Sequence, residues 1–345
     1  TDGVLTLTLT AATPGKPFLA TLTPLKANGG PATTETINGA GIATTGTTLT
    51  ASAGPNDWST ARNWSTATVP TTGDTVYLEN SADDIKYGLA QSAVTLAALH
   101  VMASFTGTLG LPERNTDATE YEEYRVRAAT ISATILTIGD GPGQGSGRIN
   151  LNVGTAACTM TIYGTGSGLD TDLAAVQWKG THAANVVNTF GGQLDVAALG
   201  GEVATVATLR VTAGAVRCSS GCTLMTISQS GGDLQINSAC TTITKTGGTL
   251  TIRGSGAITT LTNNDGSVIY SSSGTLTTYV GGGGSSLDAT QATIARTFTN
   301  CTLLSGASLN DDFSTIVFSN GIILSRCRIS EVSLSVGFNR TLGIT

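Results

Sequence analysis

Six apolar residues in the middle of the chain, Val187, Leu209, Ile227, Ile243, Leu261 and Val280, share one pattern. Five residues after each comes a small residue: Gly192, Gly214, Gly232, Gly248, Gly266 and Ser285. Seven residues after each comes an apolar one: Leu194, Val216, Leu234, Leu250, Val268 and Leu287. The spacing between units varies (22, 18, 16, 18 and 19 residues) while the offsets within a unit do not. Fixed internal offsets with variable spacing mark a structural repeat whose insertions fall at one corner. The unit is too short for paired helices and fits one coil of a β-solenoid.

Parallel coils explain the pattern better than hairpins do. In a solenoid each apolar position stacks on its own kind, so Leu234, Leu250 and Val268 should form an internal ladder. Hydrogen bonds then run between coils, and internal backbone groups find partners. The Gly two residues before each ladder position allows a corner that a residue with a Cβ would resist. Hairpins would call for Asn-Gly or Asp-Gly turns, and within the repeats Asp265-Gly266 and Asn320-Gly321 are the main ones. An array of β-sandwiches is the competing fold.

Composition agrees with a packed β body. Of 345 residues, 40% are hydrophobic and only 12% charged, which is neither apolar-poor nor highly charged enough for disorder. Thr is conspicuous, as in Thr249-Leu250-Thr251-Ile252; its branched Cβ suits a pleated strand and its hydroxyl is content in water. A surface solvated by Thr, Ser and Asn is expected of secreted or viral β proteins. The net charge of −6 argues against nucleic acid as a partner, which needs a basic face. No run of 18 apolar residues predicts a membrane span, and no signal peptide is seen. The chain starts at Thr1 without Met, which reads as a missing upstream segment or a processed end.

Three segments are expected. Residues 1–53 alternate polar and apolar residues between turn signals such as Pro14-Gly15 and Asn28-Gly29-Gly30, and predict a small Thr/Gly-rich antiparallel β module. Residues 54–90 hold Trp58 and Trp64 and read as a segment capping the first coil, whose edge and core would otherwise be bare. Residues 91–345 predict a parallel β-helix of about a dozen coils, roughly 60 Å long at about 4.8 Å per coil. Met102, Gly107 and Leu109, and near the other end Ile316, Gly321 and Ile323, follow the same offsets. The charged stretch from Pro112 to Arg125 breaks the pattern and predicts a loop leaving the rod.

The pattern Trp58…Asn63-Trp64-Ser65…Val69-Pro70…Gly73-Asp74-Thr75-Val76 resembles the motif that leads into parallel β-helices in large bacterial surface proteins and phage structural proteins. The stretch from Thr1, with Thr13-Pro14-Gly15-Lys16-Pro17-Phe18, is similar to a Thr-rich β module upstream of that motif in phage and planctomycete-type proteins. The resemblance covers about the first 110 residues and the style of repeat beyond. It implies a fold and a setting, not an activity.

Candidate chemistry is sparse. Of the six cysteines, Cys222 and Cys240 lie one coil apart and read as small buried residues, or as a disulfide between coils. With no CxxC pair, a zinc ribbon is not expected. His100 sits in an apolar run and reads as a satisfied or edge-facing histidine, with a catalytic base as the sharper alternative. The cluster Trp178-Lys179-Gly180-Thr181-His182 reads as a lateral loop, with sugar contact as the sharper alternative. Glycosidase-like carboxylate pairs would be Asp170 with Asp172, Asp83 with Asp84, or Asp311 with Asp312. Gly281 to Gly284 lacks the Lys-Ser/Thr of a phosphate loop. No catalytic, cofactor or metal residue is therefore assigned.

The expected function is a non-enzymatic structural protein of a phage virion, a fibre, spike or capsid decoration. Its partners would be other virion or surface proteins and surface glycans, with trimerisation suited to such a rod. The alternatives are a secreted bacterial adhesin or stalk and a polysaccharide-degrading tailspike. The location would be a virion or an extracellular surface.

Overall fold

The structure is a computed structural model. It describes residues 20–22, 35–37, 56–110, 128–166, 174–291, 294–311, 315–325 and 333–336. The fold is all-β: a parallel β-solenoid of about 11 turns with almost no helix. Strands from Thr75 to Val336 form one hydrogen-bonded system, each pairing in parallel with strands of the coil before and after. The sandwich array, which needs antiparallel pairs, is thereby set aside. The pair Ala20–Leu22 with Glu35–Ile37 is antiparallel, and the rest of residues 1–53 lies outside the described residues.

Alternation of inward and outward residues gives each coil three sides. In the strand Cys222–Gln229, Cys222 and Leu224 point inward, Met225 and Thr226 both point outward, and Ile227 and Gln229 point inward again. Two outward residues in succession break the period of two and turn the strand. A Gly231-Gly232 corner follows, and Leu234 and Ile236 form the third inward side.

Like stacks on like, as the repeat predicts. One ladder runs Ile149, Val176, Leu194, Val216, Leu234, Leu250, Val268, Leu287 and Leu309. A second runs Val76, Leu99, Leu136, Met160, Val187, Leu209, Ile227, Ile243, Leu261, Tyr279, Cys301 and Ile322. Both ladders are buried in one continuous core.

Register corrects three assignments. Tyr279, not Val280, overlies Leu261, and Val280 stands outward over Thr262. The glycine-rich corner from Gly281 to Gly284 has one extra residue, so the expected offsets fit Val280 by coincidence. At the near end Leu99 occupies the ladder place expected of Met102, while Leu109 bridges Ile85 and Ile149. At the far end Ile322 occupies it, and Ile316 pairs with Arg296 instead.

The corner glycines are required by geometry. Gly248 has φ +74°, and a Cβ there would lie 2.3 Å from the carbonyl oxygen of Gly232 one coil below. Gly232 stands in the same relation to Gly214, at 2.5 Å. Backbone thus stacks on backbone at this corner, which is why the repeat keeps Gly where the adjoining columns vary.

The two tryptophans pack together on the part of the core nearest Val76. Trp58 is buried and meets Trp64 edge to face, with ring centroids 4.8 Å apart. Trp64 Nε1 donates to the Trp58 carbonyl at 2.8 Å, and Trp58 N donates to Tyr87 O. Both indoles pack against the core that begins at Val76 and Leu78. The first stacked strand, Thr75–Leu78, lies within the segment expected to act as the cap.

Candidate functional surface and interior polar groups

Most candidate residues of the sequence are used by the fold. Trp178 is buried, in register with Val196, so its ring is core and offers no face to a sugar. His182 lies apart from it in a turn, where its Nδ1 accepts from Ala184 N. His100 stands on the outside of its strand and stacks on Tyr77, ring centroids 4.7 Å apart. The Asp84 carboxylate pairs with Lys86 at 2.7 Å and accepts from Thr108 N. Burial works against its charge, but these contacts prevail and hold its pKa below the ordinary value. Asp311 is buried and accepts from the Thr315 hydroxyl and amide and from Ile316 N. Its neighbour Asp312, and Asp170, Asp172, Cys327 and the whole charged stretch 112–125, lie outside the described residues.

The described cysteines are free and buried. Cys240 overlies Leu224 and Cys222 overlies Ala204, so the coil-to-coil disulfide is not formed. Burial pushes the thiols of Cys158, Cys240 and Cys301 up to about 12, which keeps them protonated and poorly nucleophilic. No group of three or more His, Cys, Asp or Glu suited to a metal occurs among the described residues.

A column of polar residues inside the rod was not foreseen. Gln229, Lys245 and Asn263 are in register, fully buried, two positions after the ladder residues Ile227, Ile243 and Leu261. Each donates to carbonyls at the glycine corner. Gln229 Nε2 reaches Thr249 O at 2.8 Å, Lys245 Nζ reaches Gly248 O at 2.6 Å and Asp265 O at 2.8 Å, and Asn263 Nδ2 reaches Ser286 O at 3.2 Å. The column thus adds side-chain donors from within to carbonyls at the corner, where Gly248 O also accepts from Ser267 N of the next coil. Burial pushes the Lys245 ammonium down to about 8, against the pull of Asp265. Parity along the strand was the available signal, because a polar residue at offset +2 can only point inward.

The outer surface is ordered too. Tyr163 and Phe190, on successive coils, stack at 5.5 Å with an interplanar angle of 13°. Each is about half exposed, at 48% and 50%. Beside them Arg210 Nη1 donates to Asn188 Oδ1 at 3.1 Å, two strand positions before the rings. Asp195, buried, takes a fork of two bonds from Arg217, Nε at 2.7 Å and Nη2 at 2.8 Å, and also accepts from Ala174 N.

Three successive strand pairings carry Thr before the buried ladder residue, and mostly Thr after it. Thr226, Thr242, Thr260 and Thr278 form one outward column, and Ser228, Thr244, Thr262, Val280 and Thr302 form the next. With the geometry in place, comparison with protein-family models, curated proteins and solved structures finds no match to this chain. No helix among the described residues is long and apolar enough to cross a membrane.

Proposed function

We propose that the protein is a non-enzymatic structural element of a phage virion, a fibre, spike or decoration, that holds a surface at a fixed distance from its base. The observation behind this reading is the unbroken inward register of the second ladder, from Val76 to Ile322. A core continuous along the rod axis leaves no hinge, so load passes from coil to coil as in other one-dimensional arrays. About 11 turns at about 4.8 Å per coil give a body roughly 50 Å long. Its hydrogen bonds lie between coils, and proteases find few free backbone groups. The resemblance of the Trp58–Val76 motif to lead-in segments of phage and bacterial β-helices points to the same setting. Antibody labelling of purified virions in the electron microscope should show the protein on projecting structures; virions free of the label would end the reading.

A secreted bacterial adhesin or stalk is the second reading, favoured by the exposed Tyr163–Phe190 pair. An aromatic face beside Asn188 and Arg210 suits sugar or peptide contact. Binding of the protein to host cells that falls several-fold in Phe190→Ala, with the fold unchanged, would support it.

A further inference from the structure

We propose that the side of the rod carrying Thr226, Thr242, Thr244, Thr260 and Thr262 adsorbs to crystalline water, an ice surface. The inference stands apart from the setting of the rod, since a virion or a cell surface could carry such a face.

Uniformity of the columns is the first observation. One column reads Thr208, Thr226, Thr242, Thr260, Thr278 and Asn300 in unbroken register. On the side beyond the glycine corner, the outward column of the same coils reads Arg217, Gln235, Thr251, Ile269 and Asp288. Both columns sit on equally regular parallel strands, so strand propensity asks the same of each. Propensity therefore does not account for an unbroken run of Thr on one side and a mixed column on the other.

The state of the hydroxyls is the second. Among the described residues, the side chains of Thr226, Thr242, Thr244, Thr260, Thr262 and Thr278 make no hydrogen bond to the protein. Cross-coil hydroxyl ladders that would merely brace the sheet are absent, and the donors and acceptors face outward. Thr has one restricted χ1 torsion, so the hydroxyls and methyls are fixed in place before any contact.

Charge and spacing are the third. From Met225 to Thr302 no outward position of this side is Asp, Glu, Lys or Arg; Arg210 ends the array. The columns repeat at about 4.8 Å along the rod and about 6.6 Å across it, two residues apart. Those repeats approximate the oxygen spacing of hexagonal ice in two directions. A sugar or a peptide would exchange water bonds for Thr bonds at a small net gain each, with no exposed aromatic ring between Met225 and Thr302 to add to it; the stacked pairs Tyr77–His100 and Tyr163–Phe190 lie on earlier coils of the same side. A crystal face instead meets every hydroxyl of a rigid lattice at once. Methyl groups between the hydroxyls hold the intervening water in cages that can merge with the ice.

The experiment freezes a solution of the whole chain slowly onto a cold finger and measures protein in ice and liquid, together with thermal hysteresis and crystal shape. The folded wild type should enter the ice and shape it. Thr244→Tyr, which puts a ring in the middle of the array, should lose most of the hysteresis. Thr251→Tyr, the same change in the same coil on the other side, should keep it. Circular dichroism and melting of all three verify the fold. Exclusion of folded wild type from ice would overturn the proposal, as would equal loss in both variants. A dimer in sedimentation that Thr244→Tyr dissolves, without ice shaping, would overturn it in favour of a contact between copies.

Discussion

Coils before Val187 and coils after it are built to the same cross-section from very different lengths of chain. From Val76 the ladder residues follow one another after 23, 37, 24 and 27 residues; from Val187 they follow after 22, 18, 16, 18, 18, 22 and 21. Inward register survives in both halves. What differs is the corners. In the later half Gly192, Gly214, Gly232, Gly248 and Gly266 repeat one tight turn, whereas the earlier half carries longer links. Extra residues are cheap outside the sheet, because closing a longer loop costs little; inside it they are confined to irregularities between Ala90 and Thr95 and after Val101, which leave the buried ladder residue Leu99 in register with Leu136.

The sharpest way to break this comparison is at the corners. Gly248→Ala forces a Cβ against the Gly232 carbonyl at positive φ, and strain plus overlap should cost about 4 kcal/mol. Gly73→Ala has the same kind of φ but open space around it, and should cost only about 1 kcal/mol. Chemical denaturation of the two variants measures both; equal losses would mean that stacked corners are not what fixes the later coils. Ladder truncations come next. Ile243→Ala in the tight half and Leu136→Ala in the loose half should each cost about 3 kcal/mol, since both are fully buried. A much smaller loss for Leu136 would show that long links do slacken the core.

Lys245 sharpens the picture of the later half. Its amine gives up its proton near pH 8 in the fold and near 10.5 in the unfolded chain, so between those values the unfolded state binds more protons. Stability contributed through this group therefore rises with pH, by about 2 kcal/mol between pH 7 and 10. Lys245→Gln, which copies Gln229 one coil below, should fold and lose that rise. Melting curves of both proteins across the range decide it. The smallest effect belongs to the surface: Phe190→Ala should cost about 1 kcal/mol through the lost ring stack.

The same contrast shows what could be read from the sequence. The tight half was legible because Gly at +5 and an apolar residue at +7 are two consequences of one corner, so each supports the other. Where the link between ladder positions changes length, the offsets select a neighbour: Val280 in place of Tyr279, Met102 in place of Leu99 and Ile316 in place of Ile322. Trp58 and Trp64 stand out in the sequence because two large rings need a core to bury against, and both pack on it. The interior Gln229–Lys245–Asn263 column was hidden by residue type, since a lysine in a strand suggests the surface until parity is counted. Threonine was noticed for its abundance but not as columns, because columns emerge only when the coil length of each unit is known.

Stacking in layers is measured most directly by distances between spin labels on the outer column of the second side. One label is kept at Thr302 and the other is moved from Ser228 to Arg210, Asn188 and Thr161, all in one register column. The sequence steps are 18, 22 and 27 residues, yet each should lengthen the distance by the same amount, about 4.8 Å. Steps that grow with sequence separation, or that fold back on themselves, would contradict a rod of stacked parallel coils.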